Sequence, residues 1–512
     1  MNHIDWNRQL DDFLKRQLYL NQSNIDKNGN NLLMVACLEN ASIEILRYIV
    51  DELFVDYEYV NENEDNCLTL ACIISEFETI KYLIEEVKID FEHENEYGDN
   101  CLTIACQNSQ DVKVIEYFIE NLGMDVNHVD SNGNNCLILA CENNTELSII
   151  QYLIKQIKMD TKFVNNDGDN CLLSACYENT NVEIIKYLIE KIGMDINFVN
   201  NNGDNCLMRA SYNNKNCLIC DYLIEKHKMD PYHKNKNGEC CILIACSHNS
   251  HLVMVKYFIE KIKMDIDCVD NINNNNCLLL ACKNNSNLDI IIYLIEICKF
   301  DVNYVNNNGY NCLMLASYNT CNLNIIKYLV EKIKIDVDHK GNNGNNCLIM
   351  SCYNSRLGIV KYFIENIKMD TNYTNNCGDN CLIIACFSNA NFVIIRYLIE
   401  EVGMDANHIN NCGDNCLTMS CKKNPKLMTL RYLIDVTNMN INHTDNEKNN
   451  CLMLVCGKKY TKLEVLKYLI EEKKIDVNRM NNDTKNCLNI ACDSNVSLNI
   501  IEYLVGERDM NF

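Results

Sequence analysis

Proline is nearly absent: Pro231 and Pro425 are the only two among 512 residues, and no Pro-rich or Gly/Ser-rich stretch is available to act as a linker. A chain this long would otherwise suggest three or four domains, so the missing linkers argue for one continuous architecture. Positive charge is also scarce. A formal net charge of −24 opposes binding to phosphate backbones, whose affinity rests on Lys and Arg, and to anionic membrane surfaces. No apolar run reaches the roughly eighteen residues of a membrane span. Residues 1–20 are broken by Asp5, Arg8, Asp11, Asp12, Lys15 and Arg16, which leaves no apolar core for a signal peptide. These absences point to a soluble, unsecreted, cytoplasmic protein that binds neither nucleic acid nor membrane.

What is present is a normal globular balance, 47% hydrophobic and 23% charged, enough for a large core. The 33 cysteines would mean a disulfide framework in a secreted chain; without an export signal they read as free thiols in a reducing compartment. About one residue in six is Asn. Heavy Asn, Ile, Lys and Tyr usage is what an A/T-rich coding sequence produces, which bears on origin and not on mechanism.

One period dominates the sequence. Asn-Cys-Leu recurs with its cysteine, here called the anchor, at Cys67, Cys101, Cys136, Cys171, Cys206, Cys277, Cys312, Cys347, Cys381, Cys416, Cys451 and Cys487. The first repeat has Leu32 at the anchor and the seventh has Cys241. The spacing is about 35 residues, and a tyrosine follows each anchor by fifteen to seventeen residues, from Tyr48 to Tyr503. Fourteen repeats fill residues 26–512. Within the fourth, residues 135–141 form a short apolar run opened by an Asn able to cap a helix. After a polar break, Leu147, Ile150, Leu153, Ile154 and Ile157 recur at helical spacing. The Asn-, Asp- and Gly-rich remainder reads as a hairpin-like turn. Neither helix can bury its apolar face alone, so each repeat must lean on the next. Residues 1–25 carry an apolar stripe, Ile4, Leu10, Phe13, Leu14 and Leu18, expected to form an N-terminal capping helix.

Helix, break, helix and Gly-containing turn at this period resemble the ankyrin repeat. Its Asp-x-x-Gly turn corresponds to Asp130-Ser131-Asn132-Gly133, its Leu-Ala-Ala to Leu139-Ala140-Cys141, and its closing Ala-Asp-Val-Asn to Met124-Asp125-Val126-Asn127. Of the Thr-Pro-Leu-His that opens its first helix, only Leu137 survives. The family unit is about 33 residues. Here one residue is added between the helices and one after the second, such as Ile192, so the second helix is expected to end later than in the family. The resemblance implies an all-α solenoid and a monomeric protein-binding scaffold with no enzymatic activity and no cofactor. Long Asn- and Ile-rich arrays resemble those encoded by large DNA viruses, which implies host proteins as partners. The family's asparaginyl hydroxylation would fall on Asn127, Asn197, Asn303 and Asn478, making a hydroxylase substrate or decoy one alternative. A ubiquitin-ligase adaptor is another; it would need a C-terminal F-box, and the sequence ends soon after its last helix.

No phosphate-binding loop, dinucleotide fingerprint or nucleophile elbow occurs. Twenty-five cysteines occupy the anchor and the position five beyond it. Five residues turn a helix through about 500°, which leaves these thiols about 140° apart, so they read as small buried apolar residues and not as metal ligands. Cys217 and Cys220 have half a metal-site spacing without a second pair. Six histidines (His93, His128, His233, His339, His408, His443) share a column with Tyr59, Phe163, Phe198, Tyr304 and Tyr373; that interchange argues for a packed flat ring. The breaks between helices vary most, and Arg209 replaces an apolar residue. This makes Gln107, Gln110, Arg209, Lys215, His248, Lys422 and Lys423 the candidate partner contacts, against a competing reading as ordinary solvated surface.

Overall fold

The computed structural model describes residues 25–506 apart from 75, 216, 355, 389–391, 424, 459–460 and 495. The expected capping helix falls outside the described residues but for Ile25. Each of the fourteen repeats supplies two helices joined by a short break, and no strand occurs among the described residues beyond isolated bridges such as Val129 with Asn135. The chain divides within the seventh repeat into two compact bodies, one running to Ala245 and including Val253–Asp265, the other comprising Cys246–Leu252 and residues from Ile266 on.

The first helix begins at the anchor because the preceding Asn caps it. In the fourth repeat (Cys136–Asn143) the Asn135 Oδ1 accepts from the Ile138 N–H at 3.0 Å, satisfying one of the free donors of the first turn. Asn170, Asn205, Asn311 and Asn346 do the same. Within each body the first helices pack on those of neighbouring repeats, burying residues such as Leu137, Ile138, Leu172 and Leu173 almost completely.

The second helix takes up its added residue in a wider turn. It does not simply run on; in eleven repeats its last turn widens into a π turn, as at Tyr187–Lys191, closed by the Ile192 N–H on the Tyr187 carbonyl at 3.1 Å. A π turn absorbs one extra residue without moving the apolar positions on either side, so the added residue leaves Tyr187 and Leu188 in the core. The chain then turns through a left-handed residue: Gly123, Gly193 and Gly403 in three repeats, but Lys158, Lys228, Lys263, Lys299, Lys334 and others elsewhere. A side chain in that conformation costs about 1–2 kcal/mol. A Cβ at Gly193 would meet nothing within 4 Å, so the cost at the lysines is purely conformational. Lys158→Gly is therefore expected to stabilise the first body by about 1 kcal/mol, read as a rise in urea midpoint at unchanged slope.

Asparagine has a structural use that composition did not suggest. Buried Asn144 and Asn179 each donate twice across a repeat boundary: Asn144 Nδ2 to the Cys106 and Ser109 carbonyls at 3.0 and 2.7 Å, Asn179 Nδ2 to the Cys141 and Asn144 carbonyls at 2.8 and 2.7 Å. These carbonyls lie at or just beyond the ends of the preceding repeats' first helices, where intrahelical donors have run out. At the turn tips Asn166 and Asn201 donate to the carbonyls of Ser131 and Asn166 at 3.2 and 3.1 Å, and Asn376, Asn411 and Asn446 continue the pattern in the second body.

The two cysteine columns are buried, Cys492 alone being half-buried. They do not converge within a helix, but they do across boundaries: Cys106 faces Cys136, Cys141 faces Cys171 and Cys176 faces Cys206, with the same pairing at Cys282 and Cys312. Burial above all holds the Cys141 and Cys282 thiols well above the ordinary range, which suppresses the reactive thiolate. Only Cys321, Cys377 and Cys412 are exposed. A chromogenic disulfide reagent should react promptly with these three in the native chain and reach the buried columns only as the repeats unfold.

Candidate functional site

The side chain six residues after the anchor closes each first helix and faces the turn tips. That column varies widely: Gln107, Glu142, Tyr177, Tyr212 and Ser247, then Lys283, Tyr318, Tyr353, Phe387 and Lys422. Twice it places tyrosines in adjacent repeats, and twice they pack together. Tyr177 and Tyr212 lie 6.2 Å apart and Tyr318 and Tyr353 lie 5.8 Å apart, both pairs tilted.

In the first frame the chain fills the space between its own tyrosines. The Arg209 guanidinium lies 4.3 Å from the Tyr177 ring centre and 5.5 Å from that of Tyr212, and its Nη2 pairs with the Asp169 carboxylate at 2.6 Å. Asp169 is buried and Arg209 is 15% exposed by side chain, so this cation is largely committed to the chain itself. Beside it stands the half-buried Glu142. Burial above all, and then the charge of Glu178, push its carboxyl up to about 7, against the smaller opposing pull of Arg209. Tyr212 leans on Asp204, its hydroxyl 3.5 Å from Oδ2.

The second frame is open. Tyr318 and Tyr353, with Tyr310, Leu315 and Met350, line a cavity of about 340 Å³ whose rim is made of turn-tip asparagines and Lys283. Tyr318 is 41% exposed. Burial pushes the Tyr353 phenol up to about 12, so it remains a protonated donor at neutral pH.

The sequence-derived contact residues scatter. Gln107 lies near Asp99 and is half-buried, while Gln110 lines a separate cavity of about 570 Å³ beside Ile73, Ile74 and Phe77. Lys215, His248 and Lys423 are exposed, Lys423 lying 5.9 Å from the Phe387 ring centre. Lys422 is drawn inward onto the buried carboxylates of Asp414 and Asp445, at 2.6 and 3.6 Å. Asn127, Asn197, Asn303 and Asn478 are exposed, each backbone N–H bonded to the Asp two residues before it. Of the sequence-derived contact residues, Gln107 and Lys422 lie in the column six residues after the anchor; the tyrosine frames were missed because a frame needs two adjacent repeats to agree.

The ring column has a further use. The Nε2 atoms of His128, His339 and His443 lie 2.8 Å from the carbonyls of Gly98, Gly309 and Gly413 in the preceding turn. A carbonyl only accepts, so Nε2 carries the proton. Tyr373 donates similarly to the Gly344 carbonyl at 2.7 Å. No group of three or more His, Cys, Asp or Glu able to hold a metal occurs among the described residues, and no described helix is long and apolar enough to cross a membrane.

This architecture is that of an ankyrin array, and a family model for ankyrin repeats (three copies) matches in overlapping windows spanning residues 49–512. The chain belongs to the ankyrin-repeat family, whose repeats are generic protein-interaction scaffolds and typically non-catalytic. Among solved structures it is similar to a chain from the complex of the predatory endopeptidase Bd0816 of Bdellovibrio bacteriovorus with immunity protein Bd3460. The two are 23% identical over 36% of this chain and 91% of that one, with a TM-score of 0.30. Among curated proteins nothing matches.

Proposed function

We propose that the chain is a monomeric, non-catalytic scaffold that binds host proteins in the cytoplasm through the face formed by its first helices and turn tips. The observation that carries this reading is the open tyrosine frame at Tyr318 and Tyr353. Tyrosine offers a large, rigid contact area with a polar tip and is enriched where binding energy concentrates, and here Tyr318 is left 41% exposed by the described residues. The test is purification of the tagged full chain from candidate host cytoplasm, with quantitative mass spectrometry against an unrelated helical repeat protein of similar charge. A partner retained through washing at moderate salt supports the reading, and no partner above background in any candidate host sinks it.

A second reading is favoured by the exposure of Asn127, Asn197, Asn303 and Asn478: the array serves as substrate or decoy of an asparaginyl hydroxylase. Co-expression with such an enzyme would add one oxygen mass per modified site, and an unchanged intact mass would remove this reading.

A further inference from the structure

We infer that the open frame of the eighth to tenth repeats is a docking slot for an acidic peptide segment of a partner protein, one that presents a carboxylate side chain beside an apolar or aromatic one. The inference rests on the scaffold reading above and deepens it.

The argument is an internal comparison. The two frames occupy the same positions of the repeat, so their walls can be matched residue by residue. Glu142 of the first frame corresponds to Lys283 of the second, Asp169 to Tyr310, Asp204 to Asn345, and Arg209 to Met350. The first frame is acidic and already holds a cation, its own Arg209. The second has replaced each of those carboxylates with a neutral or cationic side chain and has lost the filling guanidinium. The ligand it suits is therefore opposite in charge to the one the first frame holds.

Local chemistry agrees. Lys283 is the only charged residue lining the cavity and forms no ion pair among the described residues. The neighbouring carboxylates are withdrawn from the cavity lining: Asp270 is 5% exposed and takes the Asn275 Nδ2 at 2.7 Å, and Asp379 is 8% exposed and takes the Asn410 Nδ2 at 2.7 Å. Lys283 shares the cavity lining with Tyr318 and Tyr353, which carry hydroxyl donors, and with the apolar Leu315 and Met350. One carboxylate flanked by an apolar side chain satisfies both parts. A polyanion does not, because the net charge of −24 repels extended negative charge while a single contact is decided locally, within about 8 Å at physiological salt.

The experiment is selection of a displayed library of random dodecapeptides on the immobilised full chain, followed by titration of a fluorescent synthetic copy of an enriched peptide. The wild type is compared with Lys283→Glu, Lys283→Arg and Tyr318→Ala, thermal melting confirming that each surface variant stays folded. Enriched peptides are expected to share an Asp or Glu next to an apolar residue. Amidating that carboxylate, reversing Lys283 or truncating Tyr318 should each weaken binding about tenfold or more, while Lys283→Arg holds within about threefold. Enriched peptides that bind the Lys283→Glu and Tyr318→Ala variants as well as wild type would overturn the slot and leave the scaffold reading standing. Failure to enrich any peptide would count against both.

Discussion

Asn179→Ala is expected to lower the stability of the first body by about 3–5 kcal/mol and to broaden or split its unfolding. The side chain is 1% exposed and makes three hydrogen bonds, donating to the Cys141 and Asn144 carbonyls and accepting from the Asn181 N–H at 2.8 Å. Alanine leaves two buried carbonyls and the part-buried Asn181 N–H without their partner, and each buried unsatisfied group costs about 1–3 kcal/mol. The loss falls on one boundary. In a repeat array stability is close to a sum of repeat and neighbour terms, so weakening the boundary between the fourth and fifth repeats should uncouple the repeats on either side. Urea unfolding followed by circular dichroism gives the magnitude, and hydrogen exchange gives the place: protection should fall around Cys141 and Asn144 and remain in the tenth and eleventh repeats. A loss under about 1 kcal/mol would mean that water replaces the carboxamide and that the asparagine column is not what joins the repeats.

How much of this could be read beforehand depended on how local each cause was. The period, the two helices and the capping role of Asn135 are local or periodic, and they stand as read. Burial of the cysteine columns followed from the divergence of their thiols on one helix, whereas the meeting of Cys106 with Cys136 depends on how one repeat is rotated on the next, which no window of sequence contains. The added residue after the second helix was visible as a count, but a count does not distinguish a longer helix from a wider one. The fixed burial of Tyr187 and Leu188 on one side and of Met229 or Met264 at the turn of other repeats favours the π turn. The tyrosine column was legible as a spacing, but its hydroxyl partner was not: it is a carboxylate 32 residues earlier, as in Tyr152 on Glu120 at 2.8 Å and Tyr397 on Glu365 at 2.9 Å. One break in that column shows the rule. Lys155 stands where the carboxylate would be, and the Tyr187 hydroxyl is left without a partner while the lysine lies 5.4 Å from its ring centre.

The tyrosine frames were hidden for a different reason. Arg209 attracted attention as a polar residue at an apolar position, and the structure explains it as an internal filler of the first frame, bound to Asp169. Its counterpart Met350 attracted none, being an ordinary apolar residue at an apolar position. The informative feature is therefore the absence of an arginine beside the second tyrosine pair, which acquires meaning only after the first pair has been seen filled.

Glu142→Gln is expected to stabilise the first body by about 2 kcal/mol at pH 8 and to leave it nearly unchanged at pH 4. The carboxyl is pushed up to about 7 from an ordinary 4.5, chiefly by burial and secondarily by Glu178. Between those two values the folded chain keeps a proton that the unfolded chain has released, so stability falls as pH rises through that window and stays low above it. Glutamine resembles the protonated form at every pH and removes this part of the slope; partial exposure of the side chain keeps the gain below the full linkage value. Asp169 and Asp99, also raised by burial, act in the same direction and leave a residual slope in the variant. Urea unfolding of wild type and variant at pH 4, 6 and 8 separates the contributions. Parallel pH profiles for the two proteins would show that Glu142 is charged in the folded chain throughout. The frame would then carry a fixed negative charge at neutral pH, whereas a carboxyl titrating near 7 lets a modest change in acidity alter the charge around Arg209 without moving any part of the backbone.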